Sequence, residues 1–147
     1  MTDTSPIEMD EDERDEFLGN GGTGVISFST PDDDAPHSVP VSYGYDATES
    51  TFYFRLALGG NKSDVIDRAV TFVTYSHEDD EWRSVVASGR LEEVSEESIA
   101  TESLQGLERV HIPLVDIFGV PSRDVPFGFY RLTTEKLTSR KESKTMT

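Results

Sequence analysis

The stretch Phe54-Arg55-Leu56-Ala57-Leu58-Gly59-Gly60-Asn61-Lys62-Ser63-Asp64 reads as a strand that runs into a glycine pair and then a lysine at the mouth of a helix. Phosphate suits such a place. Glycines let the backbone come close to a ligand, the first N–H groups of a helix point outward unpaired, and Lys62 adds a cationic head. It is not a Walker A loop, which needs Gly-Lys-Ser or Gly-Lys-Thr where this chain has Asn61 before Lys62, and Gly59-Gly60 makes no dinucleotide fingerprint. A plain surface turn is an equal alternative. Arg55, Lys62, Arg68, Arg83 and Arg90 place five of the 13 basic residues in a 36-residue span, which favours an anion site. Against it, these cations could pair with Asp64, Asp67 and Glu81, each exposed pair worth about 0–1 kcal/mol.

Other chemistries are thinly supplied. The chain has no cysteine, so disulfides, zinc-thiolate sites and thiol nucleophiles are excluded together. His77 and His111 show no ligand spacing and read as surface or packing residues, and His37 reads as an exposed strand-end histidine, so no metal is expected and no catalytic residue is assigned. With 29 acidic against 13 basic residues the net charge is -16, which argues against nucleic acid as a partner. Dispersed acid of this density reads as a solvated surface adapted to molar salt, where screening mutes self-repulsion. Met1–Asp15 is acidic without an apolar run, and no stretch is long and apolar enough to span a membrane, so a cytoplasmic protein is expected.

At 147 residues one core is expected. Asp10 followed by Glu13, with Phe17 and Leu18 before Gly19, predicts a capped short helix serving as a lid. Strands are expected over Val25–Phe28, Val39–Tyr45, Thr51–Leu56, Val70–Tyr75, Trp82–Val94 and Val125–Leu132, from their alternation and β-branched or aromatic content. Pro40 cannot donate to a ladder and implies an edge or a bulge. Two helical turns are expected over Asn61–Arg68 and a helix over Ser95–Glu108, while Val110–Val120 is ambiguous. The organisation expected is a disordered acidic start (1–7), one domain (8–138) and a polar, frayed tail (139–147). Six or so short strands with short helices suggest a closed or partly closed antiparallel barrel, with a sandwich as the alternative.

Four motifs in order then carry a resemblance: His37-Ser38-Val39-Pro40-Val41-Ser42-Tyr43, Phe52-Tyr53-Phe54, Gly59-Gly60-Asn61-Lys62, and Trp82-Arg83-Ser84-Val85 with Gly89. Together they resemble the flavin-binding split barrels of the pyridoxamine phosphate oxidase-like family over about residues 8 to 140. Tyr130-Arg131-Leu132 with Leu137-Thr138-Ser139-Arg140-Lys141 is similar to the end of the nitroimidazole-resistance-like branch. The resemblance implies a mainly β, six-stranded antiparallel split β-barrel with short flanking helices. It implies flavin mononucleotide (FMN) bound between the two subunits of a homodimer. His37, Ser38, Val39, Pro40, Val41 and Ser42 would run along the isoalloxazine ring; Tyr53, Phe54 and Arg55 would line the ribityl and phosphate path; Asn61 and Lys62 would hold the phosphate; and Ser84 would reach in from the next hairpin. Where that branch often carries a histidine this chain reads Phe54-Arg55, so no catalytic histidine is carried over. For Tyr53 and Trp82 the alternative, and the more common fate of such residues, is a core or dimer-interface aromatic. The function implied is an FMN-dependent oxidoreductase acting on a small organic substrate. The alternatives are a flavin carrier or sensor without turnover, or the same barrel holding a deazaflavin or haem, the last without an evident axial ligand.

Overall fold

A computed structural model describes residues 7–30, 34–57, 66, 68–108 and 127–143. The elements run β1 (Ile7–Glu8), α1 (Glu11–Leu18), β2 (Gly21–Phe28), β3 (His37–Asp46), β4 (Thr51–Leu56), β5 (Val70–Glu78), β6 (Glu81–Val94), a 3₁₀ turn (Glu96–Ser98), α2 (Thr101–Glu108) and β7 (Gly128–Ser143). Every strand pairing is antiparallel, in the order β7-β4-β3-β2-β5-β6, and a further β6–β7 ladder closes these six into a barrel. Closure is how a sheet of this size loses its exposed edges.

Alternation builds the core. Ile26 and Phe28, Val41, Tyr43 and Tyr45, Phe52, Phe54 and Leu56, Val70 and Phe72, Val85, Ala87 and Leu91, and Tyr130 and Leu132 all turn inward. Between Ser88 and Gly89 the β6–β7 register shifts, so Glu135 is left over on β7. That one extra residue resets the inward set from even numbers, Tyr130 and Leu132, to odd ones, with Ser139 buried. The strand therefore continues past Leu132 to Ser143, so the described part of the tail expected to fray, Ser139–Ser143, is paired instead, and residues 144–147 lie outside the described residues. Ser139 trades hydrogen bonds with the backbone of Met9, Lys141 Nζ donates to Glu13 at 2.6 Å, and Ile7–Glu8 adds to β7 as a two-residue strand.

Helix α1 forms as expected: the Asp10 carboxylate accepts from the Glu13 N–H at 2.8 Å, and Gly19, at φ 59°, ends the helix. It buries Leu18 and is tied down by Tyr43 Oη donating to the Leu18 carbonyl at 3.0 Å and Tyr45 Oη donating to Asp15 at 2.7 Å. The helix expected over Ser95–Glu108 is broken. Ile99 is extended (φ -96°, ψ 130°) and buried against Tyr53 and Leu107, so burying one β-branched side chain wins over continuing the helix. The β5–β6 turn is tighter than expected, with Asp79 and Asp80 both at positive φ between paired Glu78 and Glu81, the two-residue form that suits strand twist. The region Val110–Val120, most of the Asn61–Arg68 turn, and Val125 and Pro126 lie outside the described residues.

Tyr130, buried and cross-strand from Glu93, has its phenol pushed up to about 12 by burial first and then by the Glu93 carboxylate. An unfolded tyrosine titrates near 10, so the stabilisation is whole below about pH 10 and is lost as pH rises towards 12. Wild-type stability measured by denaturant titration should fall by up to about 3 kcal/mol across that window. Tyr130→Phe should lack this component; an identical fall in both proteins would show that Tyr130 does not cause it.

Candidate functional site

Strand β3 pairs with β2 from His37 to Gly44, but with β4 only from Tyr43 to Asp46. Beyond the Tyr43–Phe54 pair the two strands part, and β4 runs on beside β7, with Arg55 opposite Phe129 and Leu56 opposite Gly128. Ser42 and Arg55 are thus the first residues past the fork. Among the described residues no strand pairs with the β4 side of His37–Ser42. Backbone groups along such an edge must find partners other than a neighbouring strand, and a polar planar ligand can supply them. Pro40 sits in this half of β3, the edge position of the two, edge or bulge, that its missing N–H implies.

The side chains of the segment divide by face. Val41 is buried in the core, and Val39 packs against it. Ser38, Pro40 and Ser42 point outward, with Ser38 Oγ 2.7 Å from Ser27 Oγ on β2, and half-buried His37 begins the strand. Both helices dock on the other half of β3, α1 through Tyr43 and Tyr45 and α2 through a hydrogen bond from Ser103 Oγ to the Tyr45 carbonyl at 2.9 Å.

Strand β4 carries the next three expected residues in three different settings. Phe54 is fully buried, its ring 4.9 Å from that of Phe72, so its side chain belongs to the core. Tyr53 points the other way and is only 3% exposed, covered by Ile99 and Leu107. Burial raises its phenol pKa, as does the nearby Asp46 carboxylate. Arg55 stands at the fork, with its guanidinium over the Phe127 ring, 5.0 Å from the centroid. Asn61 and Lys62 lie outside the described residues, as do Gly59 and Gly60.

The basic cluster seen in the sequence separates here into two kinds. Arg83 meets Glu81 at 2.7 Å and Arg90 meets Glu135 at 3.7 Å, the local pairing that was the alternative reading. Arg55 has no ion pair among the described residues. Ser84 lies on β6, cross-strand from Tyr75 and Arg140. From β3 to β6 is three strand steps around the closed barrel, to the opposite wall. One chain therefore does not bring Ser84 to the His37–Ser42 edge. Near Ser84, Trp82 is 46% exposed, stacked on His77 at 4.4 Å and beside Tyr75 at 6.2 Å, which makes it a surface aromatic.

Phe127 is the site residue that sequence reasoning missed. Its signal is slight, a phenylalanine two positions from Phe129, and only the register that puts Phe129 opposite Arg55 shows where its ring lies. Among the described residues no group of three His, Asp or Glu side chains could hold a metal ion, and no helix is long and apolar enough to cross a membrane.

Residues 10–141 match the profile of the family described as pyridoxamine 5'-phosphate oxidase. No curated protein matches the chain. Among solved structures, an FAD-binding protein from Mesorhizobium loti is similar at TM-score 0.65 and 20% identity, over 95% of this chain and 98% of that one. An FAD-binding protein from Mycobacterium smegmatis gives TM-score 0.61 and 19% identity, over 93% and 98%. A Bacteroides thetaiotaomicron protein, described provisionally as a 5-nitroimidazole antibiotic resistance protein, gives TM-score 0.59 and 13% identity, over 93% and 87%. Identities this low speak for a shared fold.

Proposed function

The chain belongs to the pyridoxamine 5'-phosphate oxidase family, and from that premise we propose that it is a flavin-dependent oxidoreductase that takes its flavin nucleotide at the fork between β3 and β4. The observation that carries this reading is the β4 side of Ser38–Ser42, with which no strand pairs among the described residues, opening beside an arginine that has no carboxylate partner among the described residues. An isoalloxazine ring presents alternating polar groups along one edge, which a bare strand edge suits. Ser38, Pro40 and Ser42 are small outward side chains that leave room for it. The nucleotide phosphate would meet Arg55, with Asn61 and Lys62 added on sequence grounds. Once bound, the flavin supplies transfer of a hydride or an electron pair to a small organic substrate, and the protein supplies position and charge. FMN is the nucleotide proposed; FAD is what two structural relatives are named for binding.

We further propose a homodimer. Within one chain Ser84 lies three strands around the closed barrel from β3, on the opposite wall, so a ligand touched by both needs a second copy. The outward face of β2, β5 and β6 offers a surface for this, with Val25 38% and Tyr75 65% exposed. The charge of -16 fits such a protein in a salt-rich cytoplasm.

The first test is the absorption spectrum of protein purified in molar salt, followed by FMN titration. A yellow protein, or a colourless one that takes up FMN, is expected. Colourless protein that gains no flavin would overturn the reading. Reduction of the bound flavin by NADH or NADPH and reoxidation by an added acceptor separates an enzyme from a carrier. Lys62→Ala should weaken FMN binding about 10-fold or more, as expected for loss of a charge-assisted phosphate contact. Lys136→Ala should change it little, and equal effects would count against this placement of the phosphate.

A further inference from the structure

We propose that Phe127 is a positioning residue for Arg55, holding the guanidinium at the fork so that its N–H edge meets the phosphate of the flavin nucleotide. This inference rests on the flavin reading above.

Three observations carry it. First, Phe127 is 49% exposed, so its ring is not placed there to fill the core. It is braced edge-on by Phe129, with centroids 5.9 Å apart and an interplanar angle of 84°. Phe129 in turn packs against the buried cluster of Tyr53, Ile99 and Leu107. A line of rings therefore runs from the core beneath α2 outward to Arg55.

Second, the guanidinium lies over the Phe127 face, 5.0 Å from its centroid. Such a contact uses the flat face of the cation, while its five N–H donors radiate in the plane and stay available to an anion. Third, Arg55 is half-buried and has no ion pair among the described residues, in a chain with 29 acidic residues. Arg83 and Arg90, on β6, both have carboxylates. A cation drawn partly out of water and held by a ring at the point where two strands part is suited to an anion that arrives with the ligand. A phosphate offers the bidentate geometry that a guanidinium matches best.

The test compares FMN with riboflavin, which lacks the phosphate, by flavin fluorescence titration in molar salt. Phe127→Leu keeps apolar bulk but removes the ring face. It should weaken FMN binding about 3- to 10-fold, the range of a partly desolvated cation–π contact, and leave riboflavin binding unchanged. Phe127→Trp should restore FMN binding. Arg55→Ala should lose more, and adding Phe127→Leu to it should change nothing further. Equal losses for FMN and riboflavin, or a Phe127→Leu effect that persists without Arg55, would make Phe127 merely structural and overturn the proposal. Wild-type protein that prefers FMN to riboflavin, with Phe127→Leu indistinguishable from it, overturns this proposal alone. Wild-type protein that binds neither flavin overturns the functional reading as well.

Discussion

Phe72→Ala should destabilise the barrel by about 3–5 kcal/mol, the range for deleting a buried phenylalanine. Phe72 is fully buried, and its ring lies 5.2 Å from Tyr43, 5.5 Å from Phe52 and 4.9 Å from Phe54, at angles of 53–63°. The substitution removes a large apolar surface and several edge-to-face contacts at once. Closed strands on every side leave little freedom to collapse into the void, which places the cost towards the upper end. Urea titration in molar salt measures it, with the near-ultraviolet circular dichroism of the surrounding rings as a second readout. A loss below about 1.5 kcal/mol would mean that the core is more plastic than its packing indicates.

Much of that core is legible in the sequence, for a simple reason. Val39, Val41, Tyr43 and Tyr45 alternate with small polar residues, and Phe52 and Phe54 alternate as well, so a period of two assigns the inward face without knowledge of the neighbouring strand. The lid helix was legible too, because Asp10, Glu13 and Gly19 act locally on its own backbone ends. What resisted reading was set by partners distant in sequence. The break at Ile99 answers to Tyr53, and the continuation of β7 to Ser143 answers to β1, β6 and Glu13. No local pattern announces either.

The candidate site shows the same division. Pro40 points to an edge or a bulge from its chemistry alone, and only the place where β4 leaves β3 decides between them. Tyr53, Phe54 and Arg55 are consecutive and were read as one lining. A strand sends neighbours to opposite faces, so Phe54 enters the core while Tyr53 and Arg55 stay outside it. Of those two, α2 covers Tyr53, which leaves Arg55 the one of the three that is not buried. Ser84 is assigned to the cofactor by resemblance alone, and strand order puts it three strands from β3 within one chain.

The strongest constraint on α2 is the glycine beneath it. A Cβ at Gly44 would collide with the backbone carbonyl of Ser103, and one at Gly106 would collide with the carbonyl of Asn20, so helix and barrel touch backbone to backbone at two points. Backbone cannot rotate away as a side chain can. Gly44→Ala should therefore lift α2 off β3, break the Ser103–Tyr45 hydrogen bond and uncover Tyr53, Ile99 and Leu107, at a cost of about 3 kcal/mol or more. The control is Gly19→Ala, where nothing lies within 4 Å of the added Cβ; there the cost is only that of the backbone conformation, φ 59° and ψ -142°, about 1–3 kcal/mol. Thermal unfolding should rank Gly44→Ala well below Gly19→Ala, and limited proteolysis should open Gly44→Ala first between residues 96 and 108. If the two variants melt together, α2 is not seated on Gly44, and the cover that keeps Tyr53 away from a ligand must be sought elsewhere.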